Sequence, residues 1–221
     1  MGAEQHLLLD FGGVCLLNPV ELHRSLERRM GLPEGTFNWM GPIDPSTDPL
    51  WQRLLAKEVT EREYWHQRAK DVGEAAGKGP DWTLRDYMNV AYDEPEETIV
   101  RESARAIVRD AKAAGRKVGI LTNDLYDFHG EAWVESISFF KEVDTITDAS
   151  RIPALKPDPR AFAQALVDLD VRREEVVFVD DQIRNVEGSR AFGLETVFFN
   201  VANPDQSWAE TRRLLRLEGA S

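Results

Sequence analysis

The chain has very little cysteine: Cys15 is the only one in 221 residues. No internal disulfide framework is possible, and a reducing, cytoplasmic setting is expected. Cys15 reads as a small buried hydrophobe rather than a catalytic thiol. No apolar run approaches the roughly 20 residues that a membrane-spanning helix needs, so no membrane role is expected. The opening Met1-Gly2-Ala3-Glu4-Gln5-His6 lacks a basic n-region, and the leucines after it are too few for a signal-peptide core. A myristoylation signal after Met1-Gly2 needs Ser or Thr where His6 stands. Basic residues are outnumbered, 27 Lys and Arg against 39 Asp and Glu, giving a formal charge of -12. Nucleic-acid binding by a general basic surface is not expected. A phosphorylated ligand needs local positive charge or a metal to enter such a field. His6, His23, His66 and His129 show no metal-ligand spacing and read as surface or capping residues.

With 42% hydrophobic and 30% charged residues, the chain is expected to fold as one ordinary domain plus a smaller one. The organising stretch is Leu7-Leu8-Leu9-Asp10-Phe11-Gly12-Gly13-Val14. Consecutive apolar residues without alternation predict a strand buried on both faces. Asp10 then stands at the strand tip, where open α/β sheets place their ligands. Gly12 and Gly13 let the backbone turn sharply and approach a bound group.

From Leu16 to about Glu96 no buried strand is predicted. Helices are expected from Pro19 to a stop at Gly31, over Leu50–Lys57, after the capping box Thr60-Glu61-Arg62-Glu63, and over Trp82–Ala91. Residues 16–95 thus read as an all-helical insertion with its own small core. Residues 1–15 and 96–221 read as the main domain. There a helix over Glu96–Ala114, with Ile99, Ala106, Ile107 and Ala111 inward, precedes a strand over Lys117–Asp124. Further helices are expected over Glu131–Phe140, Pro159–Leu169, Asn185–Phe192 and Ser207–Leu217. Further strands are expected over Val143–Thr147, Glu175–Asp181 and Glu195–Asn200. Alternation of this kind predicts an α/β fold: a Rossmann-like parallel sheet with helices on both faces.

Four polar stations fall at strand ends or in the turns beyond them: Asp10, Thr122-Asn123, Lys156 and Asp180-Asp181. Each alone has a bland reading, as a helix cap, a turn or a solvated lysine. In a parallel sheet they converge on one crevice. The set suits phosphoryl transfer through an aspartyl intermediate, with Asp10 as nucleophile. Carboxylate and phosphate repel, so a hard cation is needed between them. Mg²⁺ takes oxygen ligands of the kind that Asp10, the Asp180-Asp181 pair and the Gly12 carbonyl offer. The Thr122 hydroxyl and Asn123 N–H are candidate holders of a phosphoryl oxygen. Lys156 is the candidate for neutralising transition-state charge.

Asp10-Phe11-Gly12-Gly13-Val14, Leu121-Thr122-Asn123, Lys156-Pro157-Asp158-Pro159 and Phe178-Val179-Asp180-Asp181 resemble the four ordered motifs of the haloacid dehalogenase superfamily. The run Asn185–Gly193 is similar to the segment after its fourth motif, and the helical insertion to its cap. The resemblance implies a gating cap, Mg²⁺ dependence and phosphatase activity on a small phosphorylated molecule. One departure stands out. Phosphatases of the family carry a second Asp, an acid/base, two residues after the nucleophile; here that residue is Gly12. Sugar-1-phosphate phosphatases that share this Gly suggest a substrate with a good leaving group.

Two rivals follow from the same residues. A 2-haloacid dehalogenase also lacks the second Asp, and its nucleophile attacks carbon without metal. A binding or regulatory protein would keep the fold and lose turnover. Within the insertion, Trp39, Trp51, Tyr64, Trp65 and Trp82, with Arg53 and His66, are candidates for a substrate-facing surface. Packing into the insertion's own core is the stronger expectation for the aromatics. Phe11 and Val14 are expected to line the glycine turn and touch substrate. Hinges are expected near Leu16 and Glu94-Pro95.

Overall fold

The computed structural model describes residues 4–217. Met1 and Gly2, which bear on the acylation reading, lie outside the described residues. The chain divides into two compact units: Asn18–Pro95, and the segments before Asn18 and after Pro95. Among the described residues no helix is long and apolar enough to cross a membrane.

The Asn18–Pro95 unit contains α1 (His23–Met30), α2 (Pro49–Leu55), α3 (Glu61–Ala75) and α4 (Leu84–Ala91). Side-chain caps set their starts. Thr60 and Glu63 form a reciprocal capping box at α3, and Thr83 and Asp86 form another at α4. Tyr64 is fully buried, edge-on to Trp51 and Trp65, and its hydroxyl donates to Asp48 at 2.8 Å. Asp48 also accepts from the Trp51 N–H and pairs with Arg68. The aromatics of this unit are therefore mostly its core, whereas Arg53 and His66 are exposed. His23 is not a surface residue. It is buried between Phe37 and Trp39, with ring centroids 5.6 and 4.2 Å away, and both ring nitrogens lack a hydrogen-bond partner. Burial lowers its pKa to about 4.

The other unit carries β1 (His6–Leu9), β2 (Val118–Thr122), β3 (Thr145–Asp148), β4 (Val176–Asp180) and β5 (Glu195–Phe198). They form one parallel sheet in the order β3-β2-β1-β4-β5. This is a Rossmann-like α/β fold. Leu7, Leu8 and Leu9 are completely buried because β1 is central and covered on both faces. Leu8 and Phe178 join Phe162, Ala165 and Leu166 of α9 (Pro159–Leu169) in one core layer. The alternate residues of β1 and β4 face the other way. Helices α6 (Glu102–Ala113) and α11 (Pro204–Leu215) pack together and against the sheet.

Several boundaries differ from expectation. The helix predicted over Glu96–Ala114 is broken into α5 (Glu96–Ile99) and α6. At the break, Val100 bridges Leu16 and the Arg101 N–H donates to the Cys15 carbonyl, so these two residues leave the helix. Ala104 and Val108 are buried on α6, and Ala106 only half-buried. Leu16 and Leu17 share this bridge region, and the unit boundary falls at Leu17/Asn18. A helix not anticipated, α7 (Leu125–His129), follows β2. The segment predicted as one helix over Glu131–Phe140 is α8 (Glu131–Ser136) and a 3-10 turn over Ser138–Lys141. His129 is buried and stacked on Trp133 at 4.0 Å; burial lowers its pKa to about 3.

Candidate active site

Sheet register brings the polar stations together. Leu9, the last residue of β1, pairs with Ile120 and Val179, so Asp10 stands level with Asp180 and with Leu121, and Thr122 ends β2 one residue further along the same edge. β1 lies where strand order reverses, between β2 and β4, which is where open parallel sheets form a ligand crevice. Asp10 is fixed there by its N–H, which donates to the Val179 carbonyl at 2.8 Å. Its Oδ1 accepts from the Phe11 N–H at 2.7 Å.

Lys156 enters between β1 and β4. Its ammonium is buried and lies 2.9 Å from Asp10 Oδ1 and 2.7 Å from Asp180 Oδ2. It also donates to the Leu121 carbonyl at 2.9 Å. An ammonium has three N–H groups, and three acceptors surround this one. Burial alone pulls its pKa down, but the Asp10 and Asp180 charges and their hydrogen bonds outweigh burial and raise it. Lys156 is thus a fixed cation.

Asp180 is completely buried and densely bonded. Oδ1 accepts from the Gln182 N–H at 2.8 Å and from Asn185 Nδ2 at 3.1 Å; Oδ2 accepts from Lys156 and, at 3.1 Å, from the same Asn185 amide. Asn185 belongs to α10 (Ile183–Phe192). Asp181 lies against the glycine turn: a Cβ at Gly13, whose φ is 77°, would fall on its carboxylate. Gly13 is needed for both its left-handed backbone and this close approach. The Gly13 carbonyl accepts from the Arg101 guanidinium at 3.2 Å.

Asp10, Asp180 and Asp181 bring carboxylate oxygens within 4.8 Å of one another, all three residues buried. Three carboxylates and one ammonium leave net negative charge in a place that water scarcely reaches. Such an arrangement is costly without a further cation. The oxygen-only donor set fits a hard divalent ion.

Thr122 ends β2, pairs with Asp148 and is buried. Asn123 follows it, and its carboxamide is turned to the main chain of Lys156, with Oδ1 accepting from the N–H at 2.7 Å and Nδ2 donating to the carbonyl at 3.1 Å. The Lys156-Pro157 peptide is cis, and Asp158 caps α9. Phe11 and Val14 do not line an open turn. Both are buried, Phe11 among Phe139, Phe140 and Trp133, with Phe140 nearest at 4.7 Å between centroids. The Cys15 thiol donates to the Asp10 carbonyl at 3.2 Å, and burial followed by the Asp10 charge pushes its pKa up, as suits a structural thiol.

Sequence reasoning missed the roles of Asn185, the Asn123 side chain and Arg101. Asn185 lies five positions after Asp180, at the start of the segment already noted for its resemblance. That spacing was the one available signal.

A parallel α/β sheet with acidic strand tips and a buried lysine defines a class of hydrolase. The chain belongs to the haloacid dehalogenase-like hydrolase family, whose sequence pattern matches residues 10–193. It is 32% identical over 175 residues to Phosphatase MT3486 of Mycobacterium tuberculosis, covering 77% of this chain and 70% of that protein. It is 31% identical over 124 residues to (S)-2-haloacid dehalogenase 1 of Pseudomonas, covering 56% of this chain and 54% of that one. Among solved structures, the HAD-hydrolase YfnB of Bacillus subtilis superposes with a TM-score of 0.69 at 16% identity, over 96% of this chain and 99% of that chain.

Proposed function

We propose that this chain is a Mg²⁺-dependent phosphoric monoester hydrolase acting on a small phosphorylated metabolite, with a sugar phosphate favoured. The observation that carries the reading is the Lys156 ammonium held between Asp10 and Asp180 at a buried acidic cluster. The mycobacterial relative named a phosphatase, and YfnB, solved bound to magnesium, agree with it. In this reading an Asp10 oxygen attacks phosphorus, and the P–O bond to the leaving group breaks. The alcohol oxygen departs with the electron pair and takes a proton from solvent. Water then attacks the aspartyl phosphate, releasing phosphate and restoring Asp10.

Lys156 neutralises charge spreading over the phosphoryl oxygens. The Thr122 hydroxyl and the Asn123 N–H hold a phosphoryl oxygen, and the Gly12-Gly13 backbone makes room for it. Mg²⁺, when bound, supplies the charge that lets a carboxylate approach a phosphate. Asp10, the Gly12 carbonyl and Asp181 would hold it. Asp180 serves mainly to orient, since its oxygens are already taken by Lys156, Asn185 and the Gln182 N–H. With Gly12 in place of an acid/base, a substrate whose oxygen leaves readily, as from an anomeric carbon, is favoured. The Asn18–Pro95 unit is read as the cap that selects substrate, moving about the joints at Leu17/Asn18 and Pro95/Glu96.

A second reading, 2-haloacid dehalogenase, draws on Gly12 and on the Pseudomonas relative. A panel of phosphate esters with Mg²⁺, run beside 2-chloropropionate in EDTA, separates the two. Phosphate release that is lost with EDTA supports the phosphatase. Chloride release in EDTA without phosphate release supports the dehalogenase. Phosphate binding with neither release indicates a regulatory protein.

A further inference from the structure

We propose that Asn123 is a positioning residue for Lys156, acting through the lysine's main chain. The inference rests on the reading of Lys156 as the charge-neutralising residue. Asn123 lies just beyond β2, and Lys156 lies in the turns between the 3-10 segment Ala149–Arg151 and α9. One carboxamide takes both polar main-chain groups of Lys156, accepting from its N–H at 2.7 Å and donating to its carbonyl at 3.1 Å. Donor meets acceptor at each contact in one amide orientation only; the flipped amide would face oxygen with oxygen.

The same strand holds the other end of the lysine. The Leu121 carbonyl accepts from the ammonium at 2.9 Å. The end of β2 therefore grips Lys156 at its backbone through Asn123 and at its ammonium through Leu121. A lysine stem has several rotatable bonds and loses substantial entropy when ordered. Fixing both ends selects the extension that puts Nζ 2.9 Å from Asp10 and 2.7 Å from Asp180. On the far side of the turn, Gly188 of α10 backs Pro157 so closely that a Cβ there would strike it. Asn123 is thus the side chain that ties this turn to the strand end bearing Thr122.

Misplacing a catalytic group by about 1 Å costs on the order of 10²-fold in rate, so Asn123→Ala is expected to lower kcat about 10- to 100-fold. Because no substrate contact is lost, KM should change by less than about twofold. The decisive test is a double-mutant cycle with Lys156→Met on the best ester of the panel. If Asn123 acts through Lys156, the double variant is no slower than Lys156→Met alone. A rise in KM with kcat kept, or losses that multiply in the cycle, overturns the proposal.

A second readout does not need turnover. In ¹⁵N-lysine-labelled wild-type protein, a buried ammonium with three acceptors gives a slowly exchanging NMR signal, assigned by its absence in Lys156→Met. Asn123→Ala should shift or broaden it; an unchanged signal contradicts the proposal. If wild-type protein cleaves none of the esters, the phosphatase reading fails while this readout still decides the role of Asn123. Should Asn123→Ala not fold, Asn123→Asp gives the same readouts. It keeps the acceptor for the Lys156 N–H and sets an oxygen against the carbonyl.

Discussion

Lys156 and Asp180 form an ion pair sealed from solvent, 2.7 Å apart, with side-chain exposures of 1% and 0%. Asp10 shares the same ammonium. Removing the cation leaves two buried carboxylates without their common partner. Breaking such a group from one side costs about 3–5 kcal/mol. Lys156→Met is therefore expected to lose about that much stability in EDTA and about 10²- to 10³-fold in kcat, leaving a measurable residual rate. Mg²⁺ should raise its unfolding midpoint more than that of wild type, since the metal replaces part of the missing charge. Denaturant titrations with and without Mg²⁺ check this, and equal stability of variant and wild type would contradict it.

The two glycines after Asp10 should respond in opposite ways. Gly13 has φ 77° and has Asp181 where its Cβ would be. Gly13→Ala is expected to destabilise by about 1–3 kcal/mol from backbone strain alone and to weaken Mg²⁺ binding by displacing Asp181. Calorimetric Mg²⁺ titration beside thermal denaturation measures both.

At Gly12 a Cβ would meet nothing within 4 Å, and the φ lies outside the left-handed region. Gly12→Asp should therefore fold normally. On the phosphatase reading it supplies the missing acid/base, worth about 10²-fold or more on primary-alcohol phosphates. A smaller gain is expected on glucose 1-phosphate, whose oxygen needs less help. Equal gains on both substrates would sink the leaving-group argument.

Two buried histidines contribute to the pH dependence of stability. Burial lowers His23 to about 4 and His129 to about 3, against an ordinary value of 6.5. Well above pH 6.5 both are neutral, folded or unfolded, and they add no pH dependence. Below it the unfolded chain binds protons that the folded chain refuses, so stability falls as pH falls. His23 alone accounts for a loss on the order of 3 kcal/mol once the pH is below 4. His23→Phe, placed between Phe37 and Trp39, should flatten the curve between about pH 6.5 and 4.5. Urea midpoints across that range test it; an unchanged slope contradicts it.

The strands and their tips were legible in the sequence because each buried run ends abruptly in a polar residue. Asp10, Thr122 and Asp180 therefore declare themselves without reference to anything distant. The break between α5 and α6 was not legible. It arises because Val100 and Arg101 bond to Leu16 and Cys15, far away in the chain. The Asn123 clasp on Lys156 spans 33 residues and depends on one amide orientation, which no local pattern encodes. His23 and His129 misled because scarce, unspaced histidines usually sit in water. Here aromatic neighbours take them in without hydrogen-bonding their Nδ1 atoms.

On the phosphatase reading, Asp10 carries the phosphoryl group during turnover. Rapid acid quench of protein turning over its best phosphate ester with Mg²⁺, followed by peptide mass spectrometry, tests it most directly. A phosphoryl group on the peptide containing Asp10, absent in Asp10→Asn, is the predicted result. Phosphate release by wild type with that peptide unmodified at every quench time, and undiminished release by Asp10→Asn, would contradict the account.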